Sequence, residues 1–225
     1  MDETPEFAEV RQKAAHSKLP LADLLRFHWK EVVLGAVFTM SGGVAFNLIV
    51  TFGLAYGTQT LGYTRAFMLA LAMAACALCV VVIPLFGKLS DRIGRKPVLA
   101  AGIVLQAVFA FPMFWLLESG ATHLAFLGMM LMGLAFAANY APNATYLAEF
   151  FKTNVRYSGL SVTYMLAGLL GSAITPFVTT ALLTATGKGS SVAWYMILSA
   201  IASLTALFFL KETKTEGRPS RDPRG

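Results

Sequence analysis

Six long stretches carry no charge except at their ends, and they limit this chain more than any other feature. They run near Val32 to Tyr56, Ala66 to Phe86, Pro97 to Leu117, His123 to Phe150, Tyr157 to Thr184 and Val192 to Leu210. A helix of about 20 apolar residues crosses the ~30 Å hydrocarbon layer of a bilayer. Each stretch has roughly that length or more. In lipid every backbone N–H and C=O must pair within its own segment, so such a run predicts a helix. The apolar character is continuous rather than alternating, which excludes an outer-membrane barrel. The expected fold is therefore all-α, a polytopic six-helix transmembrane bundle whose immediate partner is the lipid bilayer. Only 13% of the residues are charged, against about a quarter in soluble domains.

Charge placement orients the bundle. Five Lys and Arg precede the first stretch, Lys88, Arg92, Arg95 and Lys96 follow the second, Lys152 and Arg156 follow the fourth, and five more follow the sixth. If the chain crosses six times, all of these fall on one side and only Arg65 and Lys188 on the other. Cytoplasmic loops are enriched in Lys and Arg, so both termini are expected in the cytoplasm, with the protein in the cell inner (plasma) membrane. This divides the chain into a cytoplasmic segment 1–31, a transmembrane domain 32–210 and a basic tail 211–225. The net charge of +6 is then topological, and a nucleic-acid partner, which needs a basic face on a soluble domain, is not expected. The first thirty residues contain Asp2, Glu3, Glu6 and Glu9 and no central apolar run, so they lack the pattern of a cleavable secretory signal. Cys76 and Cys79, the only cysteines, lie mid-stretch and are read as small apolar residues rather than a metal or redox pair.

Between the second and third stretches stands Gly87-Lys-Leu-Ser-Asp91-Arg92-Ile-Gly94-Arg95-Lys96, followed by Pro97. Gly87 and Gly94 are expected to permit tight turns between two helices, and Asp91 to face a helix N-terminus, where negative charge is favoured. Arg92 and Arg95 can clamp carboxylates. Glu149, at the end of the fourth stretch and on the same side, is a candidate ion-pair partner for Arg92, Arg95 or Arg156 in a gate that opens and closes; an ordinary interfacial carboxylate is the plainer alternative.

This loop resembles the signature of the major facilitator superfamily: a glycine, three residues, Asp-Arg, one residue, then Gly-Arg-Lys. Within the superfamily the chain is similar to the metabolite:proton symporter branch. The similarity is carried by Glu3-Thr-Pro-Glu-Phe7, Leu24-Leu-Arg-Phe-His-Trp-Lys30, Glu149 through Gly159, and Thr175-Pro-Phe177. The resemblance implies the carboxyl-terminal half of a twelve-helix transporter, helices seven to twelve, built as two inverted three-helix repeats. Its implied partners are an amino-terminal six-helix half or a second copy of itself, and a small-molecule substrate. Met165 and Ser41 stand where the family often has a glutamine and an acidic or amide residue, so the family's substrate contacts are not carried over.

Polar groups inside hydrocarbon usually face a bundle interior or a wet cavity. In the fourth stretch Asn139, Asn143 and Tyr146 recur at helical spacing beside Tyr140, with Pro142 interrupting the backbone ladder. They are candidate substrate contacts, with interhelical hydrogen bonding as the alternative. Asn47 and Thr51, four apart in the first stretch, and Ser161 with Tyr164 in the fifth, are further candidates. Gly168, Gly171 and Ser172 read as a packing seam, and His123 as an interfacial residue. No stretch has Asp, Glu, Lys or Arg near its centre, so the residue carrying a coupling proton is expected in the other half. No phosphate loop, hydrolase elbow or zinc-protease motif is present, and neither enzymatic activity nor any cofactor is expected. The resulting expectation is a transporter half moving a small polar metabolite, an organic acid or zwitterion, by proton-coupled alternating access. The rival expectations are a truncated remnant that transports nothing and a six-span homodimeric channel or transporter.

Overall fold

A computed structural model describes residues 28–151 and 156–210. Six helical spans, each long and apolar enough to cross a membrane, account for nearly all of them: Trp29–Gln59, Arg65–Ile93, Arg95–Glu118, Thr122–Ala148, Arg156–Thr186 and Gly189–Phe209. The segments Glu3–Phe7 and Leu24–Phe27, the residues 152–155 and the basic tail lie outside the described residues.

Packing follows a pattern that is unchanged when the first and last three spans are exchanged. The third span packs along the fourth as the sixth packs along the first, the second packs on the fourth as the fifth packs on the first, and the third meets the sixth between them. Small residues set the closest approaches, as expected where lipid offers no hydrophobic drive and van der Waals contact must hold helices together. Gly102 of the third span lies against the backbone of Ala138 and Asn139 in the fourth, and Gly171 of the fifth against the backbone of Met40 in the first.

The presumed loop after the second span is mostly helix. One helix runs Arg65–Ile93, so Gly87, Asp91 and Arg92 all lie within it. Gly87 makes no turn, and the chain breaks at Gly94 alone, whose φ of 98° places it where a side chain is strained. The change of hydropathy at Phe86 marks where lipid ends; helix propensity carries Lys88 to Ile93 onward past it.

Two spans contain wider turns. Leu48–Phe52 in the first span and Gly168–Ala173 in the fifth are π-helical. The fourth span is divided at Ala141 and Pro142 into Thr122–Tyr140 and Asn143–Ala148, because proline has no N–H for the ladder and its ring crowds the preceding turn.

Candidate functional site: a neutral cavity between the first, fourth and fifth spans

A cavity of about 400 Å³ lies between the spans that carry these irregular turns. Its polar lining comes from Thr39, Asn139, Asn143, Tyr164 and Ser172, and its apolar lining chiefly from Phe46, Phe136 and Tyr140. No Lys, Arg, His, Asp or Glu lines it. Phe46 and Tyr140 are 45% and 53% exposed, so the cavity opens away from the six-span core.

The polar wall is ordered by hydrogen bonds between spans. Asn143 Oδ1 accepts from the Tyr164 hydroxyl at 2.9 Å and from Thr39 Oγ1 at 3.4 Å, which joins the fourth span to the fifth and first. Behind this wall, Asn139 Nδ2 reaches Ser41 Oγ at 3.3 Å and Gln106 Oε1 at 3.4 Å. Ser203 Oγ completes the cluster by accepting from the Ser41 amide at 3.1 Å and donating to the Val37 carbonyl at 2.8 Å. It thereby sits across one rung of the first helix.

Four sequence candidates line the cavity and four do not. Asn139, Tyr140, Asn143 and Tyr164 come together. Tyr146 is fully buried and packs edge-on against Phe38 and Phe150, within the hydrophobic core rather than at the cavity. Ser161 is exposed on the opposite side of its helix from Thr163. Thr51 is also exposed, in the π-helical turn Leu48–Phe52 that follows Asn47. Asn47 has a different task. Pro176 brings no N–H to Ser172 or Gly171, the two carbonyls that an α or a π ladder would have given it. Asn47 Nδ2 donates to the Ser172 carbonyl at 3.2 Å, and the Thr175 hydroxyl donates to that of Gly171.

At one end of the bundle Arg95, at the start of the third span, forms an ion pair with Glu149 at the end of the fourth. The Lys96 ammonium donates to the Leu210 carbonyl at 2.7 Å, so the last turn of the sixth span ends on a cation, as its dipole favours. Three spans are thus tied at the Gly94 break. Asp91 and Arg92 are exposed and make no ion pair among the described residues. Arg156 Nε donates instead to the Phe151 carbonyl at 3.4 Å. At the far end the Tyr56 hydroxyl donates to Glu118 Oε1 at 2.7 Å, and His123 is exposed. No group of three or more His, Cys, Asp or Glu able to hold a metal occurs among the described residues.

The family profile described as Major Facilitator Superfamily matches residues 34–225. The chain belongs to that superfamily. Its similar members include an inner membrane metabolite transport protein of Escherichia coli K12, 33% identical over 95% of this chain and 50% of the relative. The shikimate transporter of the same strain is 28% identical over the same shares, and a citrate-proton symporter of Klebsiella pneumoniae is 28% identical over 93% of this chain and 47% of the relative. The chain spans about half the length of the curated relatives it matches. These relatives are named as transporters, not enzymes.

In this superfamily member, Gln106 is the polar residue that periodicity passed over. It is fully buried and is the single amide in its span, a signal visible in the sequence without any periodic pattern. Thr39, Phe46 and Phe136 gave no such signal, since hydroxyls and phenylalanines are frequent in every membrane helix.

Proposed function

We propose that this chain is one half of a secondary active transporter for small polar metabolites, and that the cavity is the part of the substrate site it supplies. The observation that carries this is the coincidence of a neutral polar cavity with broken helices from both three-span repeats, the arrangement in which membrane transporters expose polar backbone to substrate at mid-membrane. The named activities of the relatives support transport as the role of the complete assembly. The resemblances of Glu3–Phe7 and Leu24–Lys30 make this the carboxyl-terminal half, acting with an amino-terminal six-span partner.

In this assignment both termini and the Arg95–Glu149 end face the cytoplasm, on the strength of the Lys and Arg asymmetry. The ion pair then acts as an inner latch that breaks when the cavity opens inward. Proton coupling is assigned to the partner half, because the spans described here hold no carboxylate near mid-membrane.

Reconstitution tests this. Proteoliposomes holding the chain alone should show no uptake driven by a proton gradient, and those holding it with an amino-terminal half of a relative should accumulate a metabolite. Gradient-driven uptake by the chain alone would overturn the two-half assignment.

A further inference from the structure

We infer that the end of the bundle opposite the Arg95–Glu149 pair holds the headgroup of a phospholipid with a primary ammonium, of the phosphatidylethanolamine class, its ammonium placed between the Trp115 ring and the Glu118 carboxylate.

Two indoles stand open on this part of the surface. Trp115 and Trp194 are 64% and 58% exposed. The Phe111 ring joins them, with its centroid 5.7 Å from that of Trp115 and 5.3 Å from that of Trp194, edge-on to the latter. Trp115 lies three residues before the end of the helix Arg95–Glu118, and Trp194 five residues after the start of Gly189–Phe209. At 1.5 Å per residue both sit roughly 5–8 Å inside the ends of their spans, the depth at which tryptophan meets the membrane–water interface. The third and sixth spans contribute no residue to the cavity, so the patch lies outside the substrate site proposed above and does not depend on it.

Aromatic rings at an interface anchor a helix without choosing a headgroup. The carboxylate supplies the choice. Glu118 is exposed and follows Trp115 by three residues in one unbroken helix, which makes them neighbours on the helix surface, with Glu118 on the water side. The Tyr56 hydroxyl holds its Oε1 at 2.7 Å, and the sixth span starts against the same oxygen, since a Cβ on Gly189 would stand 2.5 Å from it. A carboxylate pinned in this way has little ordering left to lose when a ligand arrives. Among the described residues no Lys, Arg or His pairs with Glu118, and no cation lies over Trp115 or Trp194. Lys188, directly before Gly189, is exposed and offers a positive charge to a phosphate. The patch therefore pairs a fixed anion and bare aromatic faces with a nearby cation, complementary to a headgroup that carries both signs. An ethanolamine ammonium can donate N–H to the carboxylate and lie over a ring. Choline can use only the rings, having no N–H, and glycerol has no cation for either.

The test titrates the full chain in detergent micelles with phosphatidylethanolamine, phosphatidylcholine or phosphatidylglycerol of identical acyl chains and resolves bound lipid by native mass spectrometry. The ethanolamine lipid should bind about tenfold tighter than the glycerol lipid, with the choline lipid between them. Glu118→Gln, which keeps an acceptor for the Tyr56 hydroxyl, should cost the ethanolamine lipid about threefold to fivefold and bring it level with the choline lipid. Trp115→Leu should weaken both by about fivefold and Trp115→Phe by less; Trp115 is mostly exposed, so neither change opens a cavity. Phosphoethanolamine without acyl chains, in large excess, should leave the bound lipid in place. Equal binding of the three lipids, or an ethanolamine preference that survives Glu118→Gln, would overturn the inference, and displacement by free phosphoethanolamine would overturn a lipid as the occupant.

Discussion

Replacing Gly102 by alanine probes the closest crossing in the bundle. A Cβ at Gly102 would stand 2.7 Å from the Asn139 Cα and 2.9 Å from the Ala138 carbonyl carbon. All of its near neighbours are backbone atoms, so no side chain can swing aside. The third and fourth spans must part by roughly 0.5–1 Å, and a gap of that size forfeits a quarter to a half of the dispersion energy across the contact. Overpacking of this kind costs about 1–3 kcal/mol, against which the better helix propensity of alanine returns up to about 1 kcal/mol. Gly87→Ala is the matched control, because it makes the same chemical change inside a helix with nothing within 4 Å. Unfolding by denaturing detergent in mixed micelles, followed by circular dichroism, should show Gly102→Ala less stable than Gly87→Ala by about 1–3 kcal/mol. Equal midpoints for the two variants would refute the claim that this glycine exists for helix contact.

Asn47→Leu removes the donor to the Ser172 carbonyl and should destabilise the chain by about 1–2 kcal/mol. In a Pro176→Ala background, where residue 176 regains an N–H, the same change should cost clearly less, and an additive double-mutant cycle would refute the substitution of side chain for ladder. Arg95→Glu and Glu149→Arg should each impair transport by the reconstituted two-half assembly, and the double reversal should recover much of it; no recovery would exclude the latch. Their stability effects should stay within about 1 kcal/mol, since both side chains are partly exposed. Lys96→Met should lower the amide protection of Phe209 and Leu210 in hydrogen exchange, leaving the middle of the sixth span unchanged.

Hydropathy and charge located all six spans, because bilayer thickness acts on a whole run of residues and tolerates errors at its ends. Helix limits were less legible: the second span continues to Ile93 well beyond Phe86, since exposed Lys88 and Arg92 are as content in a helix as in a loop. Candidate residues separated by which side of each span meets the cavity. Asn139, Tyr140 and Asn143, which flank the Pro142 break, reach the cavity, whereas Tyr146 packs into the core and Thr51 is exposed outside the cavity lining, distinctions that helical spacing does not make. Nothing in Leu48–Phe52 announces its wider turn, because that turn is set by packing against distant spans. Asn47 could be recognised as polar and inward, but its partner follows from Pro176, 129 positions later.

The hydroxyl of Ser203 across the Val37–Ser41 rung also bears on how the protein is made. The two bonds join residues 162 and 166 positions apart in sequence, so the sixth span reaches the backbone of the first across the whole of the described bundle. Before the sixth helix is inserted, the Ser41 amide still has the Val37 carbonyl as its ladder partner within the helix Trp29–Asn47, as a lipid medium requires. Ser203 therefore adds to a helix that is already complete, and its two bonds mark the docking of the sixth span on the first, a long-range contact that can form only after the four spans between them are in place.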